Sequence, residues 1–152
     1  MVSDLRSFFL FYIVPEFAEF SYFCRYNAKT KAMKEYLFEV CANSVESCIA
    51  AQAGGANRVE LCAGIPEGGT TPSYGDIVIA REVLQNTRLH VIIRPRSGDF
   101  LYSPIEQRIM LKDIDNARRL GADGIVLGCL TDDGEIDIPL MKQFMEAAQD
   151  IS

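Results

Sequence analysis

Residues Ala51–Leu61 read AQAGGANRVEL, and residues Ala117–Leu127 read ARRLGADGIVL. Each runs from a helix-forming stretch into glycine, through a short turn, and out into an apolar strand. Glycine just past the last helical residue supplies the left-handed backbone that ends a helix without a Cβ clash. The same phrase written twice marks repeated α-to-β connections, and the rest of the chain can be parsed outward from it.

Upstream, Tyr36–Cys41 (YLFEVC) reads as a short apolar strand, and Ser44 is placed to cap a helix over Val45–Ala53. Ser47 stands where a capping-box Glu would, so that cap is ordinary. After the strand Arg58–Cys62 comes a Gly- and Pro-rich loop, Ala63–Pro72, and Ser73 caps a helix covering Gly75–Leu84. Leu89–Arg94 (LHVIIR) is the third strand, and Pro95–Tyr102 its loop. Ser103-Pro104 combines a cap with proline at the first helical position, a strong start for a helix reaching Leu120. Gly124–Gly128 (GIVLG) is the fourth strand. An acidic loop, Thr131–Asp137, then leads to a last helix opened by Pro139. Strands separated by helices imply parallel pairing with right-handed crossovers. Two α/β architectures satisfy this: an open doubly wound sheet, or part of a (β/α)₈ barrel. No GxGxxG follows the first strand, which removes weight from the dinucleotide-binding version of the open sheet.

Residues 1–32 are different. They are crowded with aromatics, lack glycine and show no sustained period. They read as an extension upstream of Met33, with residues 33–152 forming the domain. The run FFLFYIV (Phe8–Val14) is too short to span a bilayer and is stopped by Pro15-Glu16. Asp4 offsets Arg6 and no small-residue cleavage pattern follows, so a secretory leader is not expected either. The chain has 49% hydrophobic and 24% charged residues, ordinary for a soluble domain with a real core. A net charge of −6 provides no positive field for nucleic acid or anionic membranes. Five cysteines without CxxC spacing point to free thiols in a reducing compartment, hence a cytoplasmic chain. One histidine, His90, leaves no room for a histidine-rich metal site.

Polar residues on the strands carry the functional reading. Strand side chains alternate faces, so Glu39 and Cys41 share one face, as do Arg58, Glu60 and Cys62. Ile92 and Arg94 share one on the third strand, and Arg96 is a possible continuation beyond Pro95. In a barrel the helix-covered faces are apolar, which sends the polar set inward and toward the carboxyl ends of the strands, where barrel chemistry sits. Buried charges need partners, so Glu39 and Glu60 are expected to pair with Arg58, Arg94 or Arg96. Such a network can simply fill the barrel. It can also form an anion-binding mouth, with Arg94 and Arg96 gripping carboxylate or phosphate beside Asp99, and Glu39 or Glu60 acting as acid or base. The thiols offer a further reading. Cys41, Cys62 and Cys129 each fall at or just past a strand's carboxyl end, and soft thiolates suit Cu(I). Against that, cysteine is also a small, commonly buried hydrophobe. His90, read as opening its strand at the far end from the mouth, is expected to be structural. The loop Glu67–Ser73 (EGGTTPS) can cradle an anion or be only a tight connection. The acidic run Asp132–Asp137 is calcium-like but lacks the full EF-hand pattern, and reads as a solvated turn.

Five phrases together resemble the CutC family: FEVCANS (Phe38–Ser44), GANRVELCA (Gly55–Ala63), EGGTTPS (Glu67–Ser73), IIRPRSGDFLYS (Ile92–Ser103) and DGEIDIPLM (Asp133–Met141). They fall in the family's order and spacing. The resemblance implies a TIM-type (β/α)₈ barrel, a cytoplasmic location and a role in copper homeostasis with Cu(I)-binding thiols, Cys41 and Cys62 matching motif positions. It also implies a departure. Such a barrel needs eight strand–helix units, and only the first four are legible here, an amino-terminal half. A half barrel has open strand edges, so either the chain is truncated or two copies pair to complete the cylinder. The ligand expected is a copper ion or a small anion. An enzymatic role on a small anionic metabolite is the alternative.

Overall fold

The computed structural model describes residues 36–149 and 151. The aromatic-rich segment 1–32 lies outside the described residues. Four strands, β1 (Glu39–Ala42), β2 (Arg58–Leu61), β3 (Arg88–Ile92) and β4 (Gly124–Val126), alternate with four helices, α1 (Val45–Ala53), α2 (Tyr74–Val83), α3 (Pro104–Arg119) and α4 (Ile138–Ala147). The sheet order is β1-β2-β3-β4 and every pairing is parallel. Strands in chain order, each returned by a helix, make an open half-barrel of α/β type.

The repeated phrase becomes a repeated piece of geometry. After α1, Gly55 adopts φ +87° and donates to the Gln52 carbonyl, while Ala56 reaches back to Ala51. After α3, Gly121 adopts φ +80° and donates to Arg118, while Ala122 reaches back to Ala117. Both are Schellman closures, in which two otherwise orphaned carbonyls are satisfied and the chain is aimed at the next strand. Helix starts are equally local. Ser73 with Asp76, and Ser103 with Glu106, form reciprocal capping boxes, and Ser44 accepts from the Ser47 amide. β1 begins later than the apolar run Tyr36–Cys41 implies, because Tyr36, Leu37 and Phe38 are exposed.

Alternation then sorts the sheet into two faces. Val59, Leu61, Leu89, Val91 and Ile93 are buried and join Cys48 and Ala51 of α1, Ile77 and Ala80 of α2, Met110, Ile114 and Ala117 of α3, and Phe144 of α4 in one apolar core. The helices therefore cover that face. Burial of the Val, Leu, Ile, Met and Phe side chains among them, each worth about 1.5–3 kcal/mol, holds the sheet against its helices. Among the described residues no helix covers the other face, and it carries the polar set. No helix among the described residues is long and apolar enough to cross a membrane.

Candidate functional site

Parallel register lines up the polar face in rows. Glu39, Arg58 and Arg88 form one row, and Cys41, Glu60, His90 and Gly124 the next, one step nearer the carboxyl ends. Cys62 follows two residues after Glu60 and so sits one row higher on the same face.

Of the three thiols placed at strand ends, Cys41 and Cys62 meet. Cys41 Sγ and Cys62 Sγ are 3.6 Å apart, and Cys62 Sγ also lies 3.6 Å from the Ala42 carbonyl oxygen. Cys41 is partly exposed, whereas Cys62 is buried. Their contact makes them unequal acids. The hydrogen bond from Cys41 pulls the Cys62 thiol below its ordinary value, against burial and the Glu60 charge. That same bond, with burial and the neighbouring carboxylates, pushes Cys41 up. Of the two, Cys62 is therefore the more acidic thiol and Cys41 the one that holds its proton.

The carboxylates divide. Glu39 forms an ion pair with Arg58 across β1 and β2, as alternation suggests. Glu60, directly beside Cys41 in register, is pushed up by burial and by Glu39, with the Cys41 hydrogen bond and Arg58 acting in the opposite direction. It is a carboxyl biased toward its protonated form.

The arginines bind their own loops instead of an open anion site. Arg94 is buried, and its Nη1 donates to the carbonyls of Glu67 (3.0 Å) and Gly69 (2.9 Å), its Nη2 to that of Gly98 (2.7 Å). Phe100 packs against the guanidinium, 4.8 Å from carbon to ring centroid. Arg96 turns away, because Pro95 interrupts the strand alternation. Its Nε pairs with Glu106, its Nη2 with Asp99 and the Leu101 carbonyl, and its Nη1 with the carbonyls of Ser97 and Asp99. All three nitrogens are committed to tying the β3–α3 loop to the start of α3. Asp99 is occupied too, accepting from Arg96 and from the Leu101 amide. Nor is the loop Glu67–Ser73 an open amide cradle. Its carbonyls hold Arg94, and the start of α2 is satisfied by Asp76.

Two further residues differ from the sequence reading. Cys129 is buried in the same apolar core as the helix-facing residues, beyond the end of β4, with its thiol 3.7 Å from the Asp137 carbonyl. It does not join the pair. His90 is not at the strand's start. β3 begins at Arg88, and His90 lies mid-strand on the polar face, in register with Glu60. It is buried, its Nε2 has no hydrogen-bond partner, and burial together with Arg58 holds its pKa below the usual imidazole value. Counting back in twos from Arg94 through Ile92 reaches His90, so the signal was present in the alternation. The acidic run folds as a turn around Thr131, whose hydroxyl meets Asp133 and the Glu135 backbone. Among the described residues no group of three or more His, Cys, Asp or Glu is assembled to hold a metal ion. The donor set that remains is the thiol pair, and two soft sulfurs suit a Cu(I) ion.

Comparison with known proteins agrees with this geometry. The model of the CutC family matches residues 36–152. A CutC family protein of Bacteroides fragilis is 77% identical over 120 residues, covering 79% of this chain and 48% of the relative. One from Parabacteroides distasonis is 57% identical over 116 residues, covering 76% of this chain and 48% of the relative. The crystal structure of a proposed copper homeostasis protein CutC from Streptococcus agalactiae superposes with a TM-score of 0.73 at 39% identity. It is matched over 77% of this chain and 57% of its own. The chain thus spans about half the length of the curated relatives it matches. With its parallel βα order, its paired thiols and these relatives, the chain belongs to the CutC family.

Proposed function

We propose that the chain binds Cu(I) through Cys41 and Cys62, as part of copper handling in the cytoplasm. The observation that carries this reading is the 3.6 Å contact between two thiols from neighbouring parallel strands. A linear sulfur–metal–sulfur bridge needs roughly 4.6 Å, twice a metal–thiolate bond of about 2.3 Å. Binding therefore requires the 3.6 Å contact to open by about 1 Å. Thiolates are the ligating form, so binding releases protons and tightens as pH rises. The copper homeostasis name carried by the Streptococcus agalactiae relative supports the same reading.

The Cu(I)-binding reading is tested by anaerobic titration against a competing chelator, using the wild-type chain and its Cys41→Ser and Cys62→Ser variants. One Cu(I) bound by the wild type, and sharply weakened binding in both variants, is expected. Unchanged affinity and stoichiometry in both variants would remove these thiols from the function.

A further inference from the structure

Cys62 is only 1% exposed, although it lies on the sheet face that no helix covers among the described residues. Its neighbours on that face, Cys41, Glu60 and Ile92, are all partly exposed. The cover comes from the β2–α2 loop. Ala63 and Thr70 pair through two backbone hydrogen bonds, of 2.9 and 2.8 Å, which close the loop on itself. Beside that closing pair Gly69, at φ +85°, presses onto the sheet. A Cβ there would stand 3.1 Å from Ile92 Cδ1 and 3.6 Å from Cys62 Cβ. Glycine is required at this position both for its backbone angle and for the close approach.

One side chain fastens this cover. The Arg94 guanidinium holds the Glu67 and Gly69 carbonyls of the β2–α2 loop and the Gly98 carbonyl of the β3–α3 loop. No carboxylate among the described residues forms an ion pair with it, and its Nε, buried, has no partner. A cation held by neutral carbonyls is fastened less firmly than one in a bidentate ion pair. The base of the loop has its own anchors, since the Thr71 amide donates to the Arg94 carbonyl and the Arg94 amide to the Thr71 hydroxyl. Those backbone bonds survive a change of the Arg94 side chain, which confines any release to the segment before Thr71.

We propose that Arg94 is a latch: its guanidinium pins the β2–α2 loop over Cys62 and so sets access to the thiol pair. This deepens the copper reading, on which its functional meaning rests, by assigning a role to the EGGTTPS and IIRPRSGDF phrases. With the latch closed, an incoming ion or reagent meets Cys41 first, and Cys62 becomes available only when the loop lifts.

The experiment is site-resolved alkylation by iodoacetamide, with labelled peptides quantified by mass, on the full chain and its Arg94→Ala and Arg94→Lys variants. Cys48, on the buried side of α1 and 0% exposed, reports loss of the fold itself. We expect Cys62 to label about tenfold faster or more in Arg94→Ala, with Cys48 still protected, as local opening requires. In Arg94→Lys, which keeps the charge but not the fork, the gain is smaller. The proposal is overturned if Cys62 labels no faster in either variant, or if it speeds up only where Cys48 does. Labelling needs no copper, so a wild-type chain that fails to bind Cu(I) while Arg94→Ala unmasks Cys62 would sink the copper reading and leave the latch standing.

Discussion

Replacing His90 with leucine should stabilise the protein, and by more as the solution becomes acidic. His90 is 8% exposed, and its Nε2 has no hydrogen-bond partner. An unsatisfied buried polar atom costs about 1–3 kcal/mol. Leucine has similar bulk and no such atom, and its altered shape gives back up to about 1.5 kcal/mol. The net gain at pH 7.5 is thus about 1 kcal/mol, which for a domain of this size raises Tm by about 4 °C. The pH dependence has a definite sign. Burial, reinforced by Arg58, depresses the folded-state pKa of His90. Below the unfolded value of about 6.5, the unfolded chain binds a proton that the folded chain refuses, so wild-type stability falls as pH drops toward the folded pKa. One proton gives at most about 1.4 kcal/mol per pH unit. The leucine variant lacks this term, so its advantage should widen between pH 7.5 and pH 5.5. Urea unfolding of both proteins across that range measures it. A variant less stable than wild type at pH 7.5, or an advantage that does not grow at acid pH, would refute the reasoning.

Gly69→Ala should lose about 1–2 kcal/mol from the left-handed backbone alone, with more from displacing Ile92, read as a lower urea midpoint at unchanged slope. Gly55→Ala has the same backbone penalty, but nothing lies within 4 Å of its new Cβ, so the difference between the two variants isolates the crowding. Cys129→Ala should cost roughly 1 kcal/mol of stability, as a core residue does, while Cu(I) stoichiometry by titration stays as in the wild type. A drop in stoichiometry there would return Cys129 to the site.

What could be read in advance follows the range of the forces involved. Helix α1 was legible end to end because Ser44 and the Gly54-Gly55 pair act within a turn of it. The Cys41–Cys62 contact was legible because alternation and parallel register are both local rules applied to neighbouring strands. Arg94 was recognised as a buried cation, but its partners are carbonyls in two loops, as far as 27 residues away, and carbonyls carry no sequence signature. The position of Arg96 was not legible, because alternation holds only along the ladder, which ends at Ile92, before Pro95. The mid-strand position of His90 was hidden because β3 begins one residue before its apolar run, so that the residue looks terminal in the sequence. Glu39 was placed correctly, since its partner Arg58 is its direct register neighbour.

X-ray absorption at the copper edge of the Cu(I)-loaded chain identifies the atoms that hold the metal. Two sulfur neighbours and no nitrogen are expected in the wild type, with one sulfur lost in Cys41→Ser. A first shell of nitrogen or oxygen, or one that the serine substitution leaves unchanged, would contradict binding through the thiol pair.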